Sequence, residues 1–327
     1  MLHSPRSGRF RKMKHKVFVD GQEGTTGLQI NERLETRDDI EIIKISPEKR
    51  KDADERRRLL NEADIVFLCL PDAAAIEAVS MIENNNTKVI DASTAHRTHP
   101  DWAYGLPELS AGHREAVRAS SRVSVPGCYA TGFNIALYPL VKEGIVPPEY
   151  PVSCHAVSGY SGGGKKLIGL YENPGEEINI HSPQFYALGL THKHLPEMQK
   201  VSGLKHAPIF SPILGNIYKG MTVAIPLASR MLSGKTGAGE LQAFLSDYYK
   251  DEPFVKVMPL GCEKDFYNGY LGATGCNDRN AVELYVFGHS DQVMLVSRLD
   301  NLGKGSSGAA VQNMNLLLGL GEGTGLE

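Results

Sequence analysis

The sequence predicts an α/β protein, with a doubly wound parallel sheet followed by an α+β region built on a mixed or antiparallel sheet. Three observations predict it. Short apolar runs alternate with helical segments as far as residue 125, a glycine-rich turn follows the first of these runs, and longer strand-like segments separated by polar, glycine-rich connections begin after Pro126. Alternating short strands and helices are typical of parallel sheets covered by helices on both faces.

The first half of the chain contains five strand candidates. They are the apolar runs at 16–20, 40–45, 64–70, 88–91 and 122–125. A helix is predicted from Leu28 to about Arg37, and another follows Asp72, whose carboxylate is a suitable N-cap. This order predicts a parallel sheet.

The second half reads as longer strands at 151–160, 221–227 and 281–288, with a helix around 239–249. A final helix is expected to start at Ser306 or Ser307 and to have one apolar face. At 327 residues the chain is long enough for two domains.

Bulk composition restricts the function. The chain is 41% hydrophobic and 22% charged, as expected of a globular protein, and no apolar run approaches the roughly 18 residues of a membrane span. Residues 1–16 carry six basic side chains and no acidic one; without these six charges the net −3 becomes −9. A folded part with this acidic balance does not favour nucleic-acid binding. Residues 1–15 are expected to be a disordered tail, with a targeting leader or an expression tag as alternatives.

The five cysteines favour a reducing, cytoplasmic location, because their number is odd, none are closely spaced and no secretory signal precedes them. Cys69 and Cys154 lie in apolar strand-like runs and are expected in the core. Cys262 and Cys276 are flanked by glycine and polar residues and are expected in loops.

A G-x-x-G-x-x-G turn, formed by Gly21, Gly24 and Gly27, lies between the first strand and the first helix. Glycine lets the backbone approach a pyrophosphate closely, and the helix N-terminus offers free N–H groups to the anion. A purely structural turn is the alternative. After the second strand, Ser46 and Arg50 suit the 2′-phosphate of NADP, whereas Glu48 is the feature that would suit NAD.

Cys128 lies in the segment SVPGCYATGFN, between a strand end and a predicted helix that Pro139 is expected to kink or interrupt. A helix N-terminus stabilises a thiolate, so the position predicts a lowered thiol pKa and a nucleophile. A small buried residue at a domain junction is the alternative interpretation.

The segment THKHLPEM places His192 and His194 on alternate positions, and histidine is suited to exchanging protons with a thiol. On an extended backbone only one of the two would face Cys128. A surface pair or a metal site are alternatives, although a metal would need further ligands; we expect none.

Two further segments are candidates for anion binding. SGYSGGGKK at 158–166 can wrap its amides around an anion, although its composition favours a flexible hairpin connection. Arg97, after the fourth strand, can bind a phosphate or carboxylate through two N–H groups, or can be an exposed surface residue.

Together, the motifs resemble N-acetyl-gamma-glutamyl-phosphate reductases of the shorter subtype, within the semialdehyde dehydrogenase superfamily. They occur in family order over nearly the whole chain after residue 16. They are GQEGTTGLQI, LPD at 70–72, DASTAHR, YGLPEL at 104–109, PGCYATG at 126–132, SGYSGGGK, THKHLPEM, and DNLGKGSSGAAVQNMN at 300–315. Gln22 and Glu23 depart from the small residues that are commoner in the first motif.

The resemblance implies an NADP-binding Rossmann domain at 16–127 and 299–327, a catalytic and oligomerisation domain at 128–298, and a homo-oligomer, either dimer or tetramer. Catalysis would fall to Cys128, His192 and His194. Cofactor contacts would come from Gly21, Gly24, Thr25, Thr26, Gly27, Ser46, Arg50, Pro71, Ser93, Asn301, Lys304 and Gly305. Substrate contacts would come from Arg97, Ser158, Gly159 and Glu197.

The implied reaction is the NADPH-dependent reduction of N-acetyl-glutamyl 5-phosphate, through a cysteinyl thioester, to the 5-semialdehyde and inorganic phosphate. An aspartate-semialdehyde dehydrogenase shares the cysteine and histidine. An aminoadipyl homologue differs by one methylene, which a pocket distinguishes by only about 1–3 kcal/mol. Outside this class, a cysteine hydrolase or acyltransferase, or a catalytically silent NADP sensor, remains possible. The residues alone leave open the acyl chain length, the histidine that acts, the oligomer size and the role of residues 1–16.

Overall fold

The computed structural model describes residues 14–175, 179–234 and 236–326. The predicted tail lies outside these residues except for its last two positions. One of these, His15, is the first residue of strand β1, so the folded part begins one residue earlier than predicted.

The first sheet has six parallel strands in the order β2-β1-β3-β4-β6-β5, which confirms the predicted doubly wound sheet. Its strands are β1 (His15–Asp20), β2 (Ile40–Ile43), β3 (Ile65–Leu68), β4 (Lys88–Asp91), β5 (Ala103–Tyr104) and β6 (Arg122–Ser124). All except the two-residue β5 were predicted. Apolar side chains are buried on both faces of this sheet, as expected where helices cover a parallel sheet.

The helices of this half are α1 (Thr25–Glu35), α2 (Ala53–Glu62), α3 (Asp72–Ser80) and α4 (Ala111–Ala119). Asp72 was predicted to cap α3, and this is wrong. It is the first residue inside the helix, after Pro71 as N-cap. Its carboxylate instead accepts hydrogen bonds from the backbone N–H and the hydroxyl of Thr94. Asp72 therefore holds the loop that leads to Arg97.

Helix α5 (Cys128–Lys142) follows β6 directly and is buried along most of its length. It continues through Pro139, so of the two expected effects, a kink or an interruption, the interruption is wrong. Proline has no N–H to donate to the carbonyl four residues earlier, which belongs to Ile135. The hydroxyl of Tyr249 donates to that carbonyl at 2.7 Å. This side chain replaces the missing helical hydrogen bond.

The second sheet has seven strands in the order β11-β12-β13-β10-β7-β9-β8, and its mixed pairing confirms the prediction. Its strands are β7 (Ser153–Gly159), β8 (Gln184–Phe185), β9 (Ile209–Gly215), β10 (Met221–Ala228), β11 (Val255–Val257), β12 (Val282–Gly288) and β13 (Gln292–Leu299). Its helices are α6 (Gly164–Glu172), α7 (Leu195–Ser202) and α8 (Ala238–Tyr248). The largest apolar core lies where α5 packs on β10 and β13.

After β13 the chain forms a five-residue π-turn (Gly303–Ser307) and then helix α9 (Gly308–Leu317). The predicted helix therefore begins near the expected position, but it is buried on all sides rather than on one face. It packs against α1, α4 and β4 of the first sheet. The last part of the chain thus returns to the first half of the molecule. Among the described residues, no helix is both long and apolar enough to cross a bilayer.

Candidate active site

A cavity of about 540 Å³ lies where the two halves meet. Segments distant in sequence line it: the start of α1, the start of α5, the loop after β7, the histidine segment before α7, and the π-turn before α9. Carboxyl ends of parallel strands and helix N-termini converge here, which is where α/β folds place ligands.

Cys128 is the first residue of α5 and lines this cavity. Burial raises the pKa of its thiol to about 11, although the Arg97 charge and the Tyr129 amide act in the opposite direction. The predicted lowering of the thiol pKa by the helix N-terminus is therefore wrong, because desolvation of the thiolate outweighs it. A thiol in this state needs a neighbouring base to become a nucleophile.

His192 and His194 both line the cavity. The extended backbone on which only one of them would face Cys128 is not formed. The backbone at His194 is helical rather than extended (φ −86°, ψ −10°), and its N–H donates to His192 Nδ1 at 3.1 Å. The two rings meet edge to face at 4.7 Å, and each contacts the ring of Tyr129. The imidazole of His194 also lies against Gly127, where an added Cβ would collide with it.

The two imidazoles are neutral at pH 7. Burial, followed by the nearby Lys193 and Arg97 charges, lowers the pKa of His192 to about 4. Burial, with the Arg97 charge second, lowers the pKa of His194 well below its ordinary value. His194 Nδ1 is buried and has no hydrogen-bond partner among the described residues. A neutral imidazole with an unpartnered nitrogen can accept a proton.

Arg97 lines the cavity but is not an exposed surface residue. Its guanidinium is bound to Glu197 at 2.7 Å and to the carbonyls of Val125 and Ala92. These contacts use three of its five N–H donors, so two remain for an anion.

Glu197 does not line the cavity, contrary to what a substrate contact would require. Its buried carboxylate accepts hydrogen bonds from Arg97, from the Tyr104 hydroxyl at 3.0 Å and from the Gly127 N–H at 3.1 Å. It therefore orients the residues around Cys128.

The loop after β7 is not a hairpin. It forms a short 3₁₀ turn over 160–163 and then enters α6. Ser158 and Gly159 line the cavity at the end of β7. A Cβ at Gly159 would lie 2.6 Å from the Tyr218 carbonyl, so only glycine allows this close approach. Asn301 fixes the loop by donating to the Ser161 hydroxyl at 3.0 Å.

The glycine turn precedes α1 as predicted. Gly21 has φ +88°, and a Cβ there would collide with the Cys69 carbonyl. Thr25 and Thr26 line the cavity at the first turn of α1, and the N-cap Gly24 supplies no side-chain hydrogen bond. The buried hydroxyl of Thr25 has no partner among the described residues. These unsatisfied donors beside a close-approach turn fit a dinucleotide phosphate.

The remaining predicted cofactor contacts divide into two groups. Asn301 and Gly305 line the cavity. Ser46, Arg50, Pro71 and Ser93 follow β2, β3 and β4 but do not line it. Arg50 is exposed and paired with Glu23, and Ser93 is bound to Asp91.

Lys304, for which the resemblance implied a cofactor contact, does not line the cavity. Its side chain is fully buried and paired with Glu108 at 2.5 Å.

Among the cavity residues that sequence reasoning missed are Lys193, Tyr129 and Tyr186. The hydroxyls of the two tyrosines are bonded at 2.8 Å. Lys193 is exposed at the cavity rim and forms no ion pair with any described residue. Its position between the two histidines was the available signal.

Among the described residues no cluster of His, Cys, Asp or Glu has the arrangement of a metal site.

Sequence profiles of two semialdehyde dehydrogenase domains match the chain, the NAD binding domain at residues 16–118 and the dimerisation domain at residues 128–301. The matches define the class: a nicotinamide-dependent oxidoreductase of the semialdehyde dehydrogenase type. Aspartate semialdehyde dehydrogenases from Vibrio cholerae and Francisella tularensis share the fold, with TM-scores of 0.72 and 0.71 at 17% and 15% identity. They cover 94% and 93% of this chain and 99% and 100% of their own.

Closer relatives narrow the class. N-acetyl-gamma-glutamyl-phosphate reductase 2 from a Nostoc species is 47% identical over 96% of this chain and 99% of its own length. The Brucella ovis N-acetyl-gamma-glutamyl-phosphate reductase is 48% identical over 94% of this chain and its whole length. The chain belongs to the N-acetyl-gamma-glutamyl-phosphate reductase family.

Proposed function

We propose that the protein reduces N-acetyl-glutamyl 5-phosphate to N-acetylglutamate 5-semialdehyde with release of phosphate, through a thioester on Cys128. The observation that carries the proposal is one cavity that holds a cysteine at a helix start, two neutral histidines, a half-engaged arginine and the start of α1. The names of the relatives supply the substrate.

The cofactor is NADP(H). The glycine turn and the first turn of α1 would hold its phosphates, with Thr25 and Thr26 nearest the cavity. Ser46 and Arg50 are the candidates for the 2′-phosphate, and Pro71, Ser93, Asn301 and Gly305 for further contacts. When bound, NADPH supplies the hydride that reduces the acyl group.

Proton transfer falls to the histidine pair. We assign the base role to His194 first, because the Nε2 edge of its ring lies against Gly127, the residue before Cys128. Its other ring nitrogen, Nδ1, has no partner among the described residues. Removing the thiol proton produces a thiolate beside Arg97, whose charge favours it. The thiolate attacks the acyl carbon and phosphate leaves, which forms the thioester. Once hydride has reduced the thioester carbon, the protonated histidine donates its proton to the oxygen of the resulting thiohemiacetal. The histidine takes this proton back as the C–S bond breaks, which releases the semialdehyde and leaves Cys128 as a thiolate.

The substrate carries an anion at each end, and the cavity offers two cations. Arg97, buried beside Gly127, suits the phosphate that departs near Cys128. Lys193, at the rim, suits the α-carboxylate. Ser158 and Gly159 are candidates for polar contacts between these ends.

The domain division that we propose is 16–127 with 299–327 for the cofactor, and 128–298 for catalysis and assembly. The profile boundaries near residues 118, 128 and 301 support it, as does the packing of α9 on the first sheet. We also propose a cytoplasmic homo-oligomer, because the second region matches a dimerisation domain and the cysteines are unpaired.

The test runs the reaction backwards, which avoids the unstable acyl phosphate. N-acetylglutamate semialdehyde, phosphate and NADP are mixed, and NADPH formation is followed by its absorbance. We expect phosphate-dependent NADPH formation that disappears in Cys128→Ala. Folded wild-type protein that forms no NADPH would overturn the proposed substrate. The aminoadipate homologue and aspartate semialdehyde, tested in parallel, determine the acyl chain.

A further inference from the structure

A fully buried ion pair connects two sequence motifs that are far apart along the chain. Lys304 belongs to the π-turn before α9, and Glu108 lies in a 3₁₀ turn (Pro107–Leu109) before α4. Lys304 Nζ lies 2.5 Å from Glu108 Oε1, and both side chains are completely buried. The contact spans 196 residues of sequence.

Gln312 of α9 completes the cluster. Its amide oxygen accepts from Lys304 at 2.6 Å, and its amide nitrogen donates to the same Glu108 oxygen at 2.7 Å. The second oxygen of Glu108 is buried without a partner among the described residues. Burial would raise the pKa of Glu108, but Lys304 and Gln312 hold it below its ordinary value, so the carboxylate is ionised.

A buried ion pair of this kind is weak evidence for a role in stability alone. Burying two charges costs about as much as their attraction returns, and apolar residues of similar volume often stabilise a protein as well or better. An orphaned carboxylate oxygen adds a further cost. The best attested use of buried polar groups is to fix one arrangement of the chain against others.

The arrangement fixed here is the wall beside the nucleophile. Residues 305 and 306 line the cavity, whereas the side chain of Lys304 does not and is buried against Glu108 and Gln312. A Cβ at Gly305 would lie 2.8 Å from the Cβ of Cys128, so the turn already packs as closely as glycine allows. A shift of the turn by about 1 Å would change the space around the thiol, and misplacements of that size cost about a hundredfold in rate.

We propose that the Lys304–Glu108 pair, held by Gln312, is a positioning element that fixes the π-turn against Cys128. Lys304 acts through Gly305 and does not touch the substrate. The inference rests on the proposed function only in taking Cys128 as the nucleophile.

The test is the double variant Lys304→Met/Glu108→Leu, which removes the tie but leaves no uncompensated buried charge. Three properties are compared with wild type: the melting temperature, kcat and KM in the reverse reaction, and the rate of Cys128 alkylation by iodoacetamide against pH. Cys128→Ser supplies the background from the other four cysteines. Gln312→Met is measured in parallel, and Arg114→Met is the control. Arg114 forms half-buried ion pairs with Glu252 and Glu322 away from the cavity.

We expect the double variant to melt close to wild type while kcat falls about a hundredfold and KM for phosphate stays nearly constant. A loosened turn exposes the thiol, so alkylation at neutral pH accelerates about tenfold, equivalent to one unit of thiol pKa. Gln312→Met should lower kcat and accelerate alkylation as well, each by less than the double variant does. Arg114→Met should change only the melting temperature. The proposal would be overturned if the double variant kept the wild-type kcat and the wild-type alkylation rate. If the double variant does not fold, the same result in Gln312→Met would overturn it. The alkylation rate requires no substrate, so it tests the positioning role even if the proposed substrate is wrong. The activity of Cys128→Ala tests the proposed function separately.

Discussion

At the level of single residues, burial keeps the cysteine and the two histidines of the cavity uncharged. Cys128 is held as a thiol with a pKa of about 11 and His192 as a neutral imidazole with a pKa of about 4. In the proposed reaction the pair becomes ionic only when a proton moves from sulfur to nitrogen, next to the fixed charge of Arg97. Desolvation therefore disfavours the thiolate until a base accepts its proton.

The depressed histidine pKa predicts how stability depends on pH. The unfolded chain binds a proton at His192 near pH 6.5, whereas the folded protein does so only near pH 4. Stability is therefore lost as the pH falls from 6.5 toward 4. We expect this side chain to account for about 2 kcal/mol of lost unfolding free energy between pH 7 and pH 5.

Urea unfolding of wild type and His192→Gln at these two pH values measures this contribution. The variant should lose less stability on acidification. An equal loss in both proteins would show that His192 is protonated in the folded state as readily as in the unfolded chain.

Lys193 should determine substrate affinity. Removing a hydrogen bond to a charged group costs about 1.5 kcal/mol, or about tenfold. Lys193→Met is therefore expected to raise KM for N-acetylglutamate semialdehyde about tenfold and to leave KM for phosphate unchanged. Lys205→Met, which alters an exposed lysine paired with Glu149, is the matched control. A rise in KM for phosphate alone would indicate that Lys193 binds the phosphate end of the substrate instead.

At the level of elements, α5 shows how a helix tolerates a proline. The Tyr249 hydroxyl satisfies the Ile135 carbonyl that Pro139 leaves free. Tyr249→Phe should cost about 1–3 kcal/mol of unfolding free energy, because a buried carbonyl loses its partner.

A double-mutant cycle isolates this hydrogen bond. In a Pro139→Ala background the helix can supply its own N–H, so Tyr249→Phe should cost clearly less there. Equal costs in the two backgrounds, measured by chemical denaturation, would mean that the hydroxyl does not substitute for the missing backbone donor.

The elements also show what the sequence could predict. Apolar runs and glycine spacing were sufficient for β1 to β4 and for the turn before α1, because those signals are local. Strand β9 was missed because Pro212 and Ser211 interrupt its apolar pattern, although it pairs along its full length with β7. The prediction that Asp72 caps α3 was wrong because Thr94, more than twenty residues away, binds its carboxylate instead.

At the level of the whole molecule, the cavity exists only because distant segments meet. The order of the sequence motifs predicted that such a site exists, but it did not predict the geometry of the side chains around it. Lys304 and Gly305 are neighbours in one motif, yet one points into the core and the other toward Cys128. Glu197, which was expected to contact the substrate, does not line the cavity, whereas Lys193, to which no role was assigned, does. The reason is that side-chain direction depends on how α7 begins, and alternate histidines do not reveal a helical backbone at His194.

The central claim is a covalent acyl-enzyme on Cys128, and a burst experiment tests it most directly. Enzyme at high concentration is mixed with N-acetylglutamate semialdehyde and NADP without phosphate. We expect a rapid burst of one NADPH per active site, an acyl group on Cys128 by mass spectrometry, and continued turnover only when phosphate is added. Cys128→Ser should give neither burst nor adduct. Continuous NADPH formation without phosphate, or a burst that leaves Cys128 unmodified, would contradict the account.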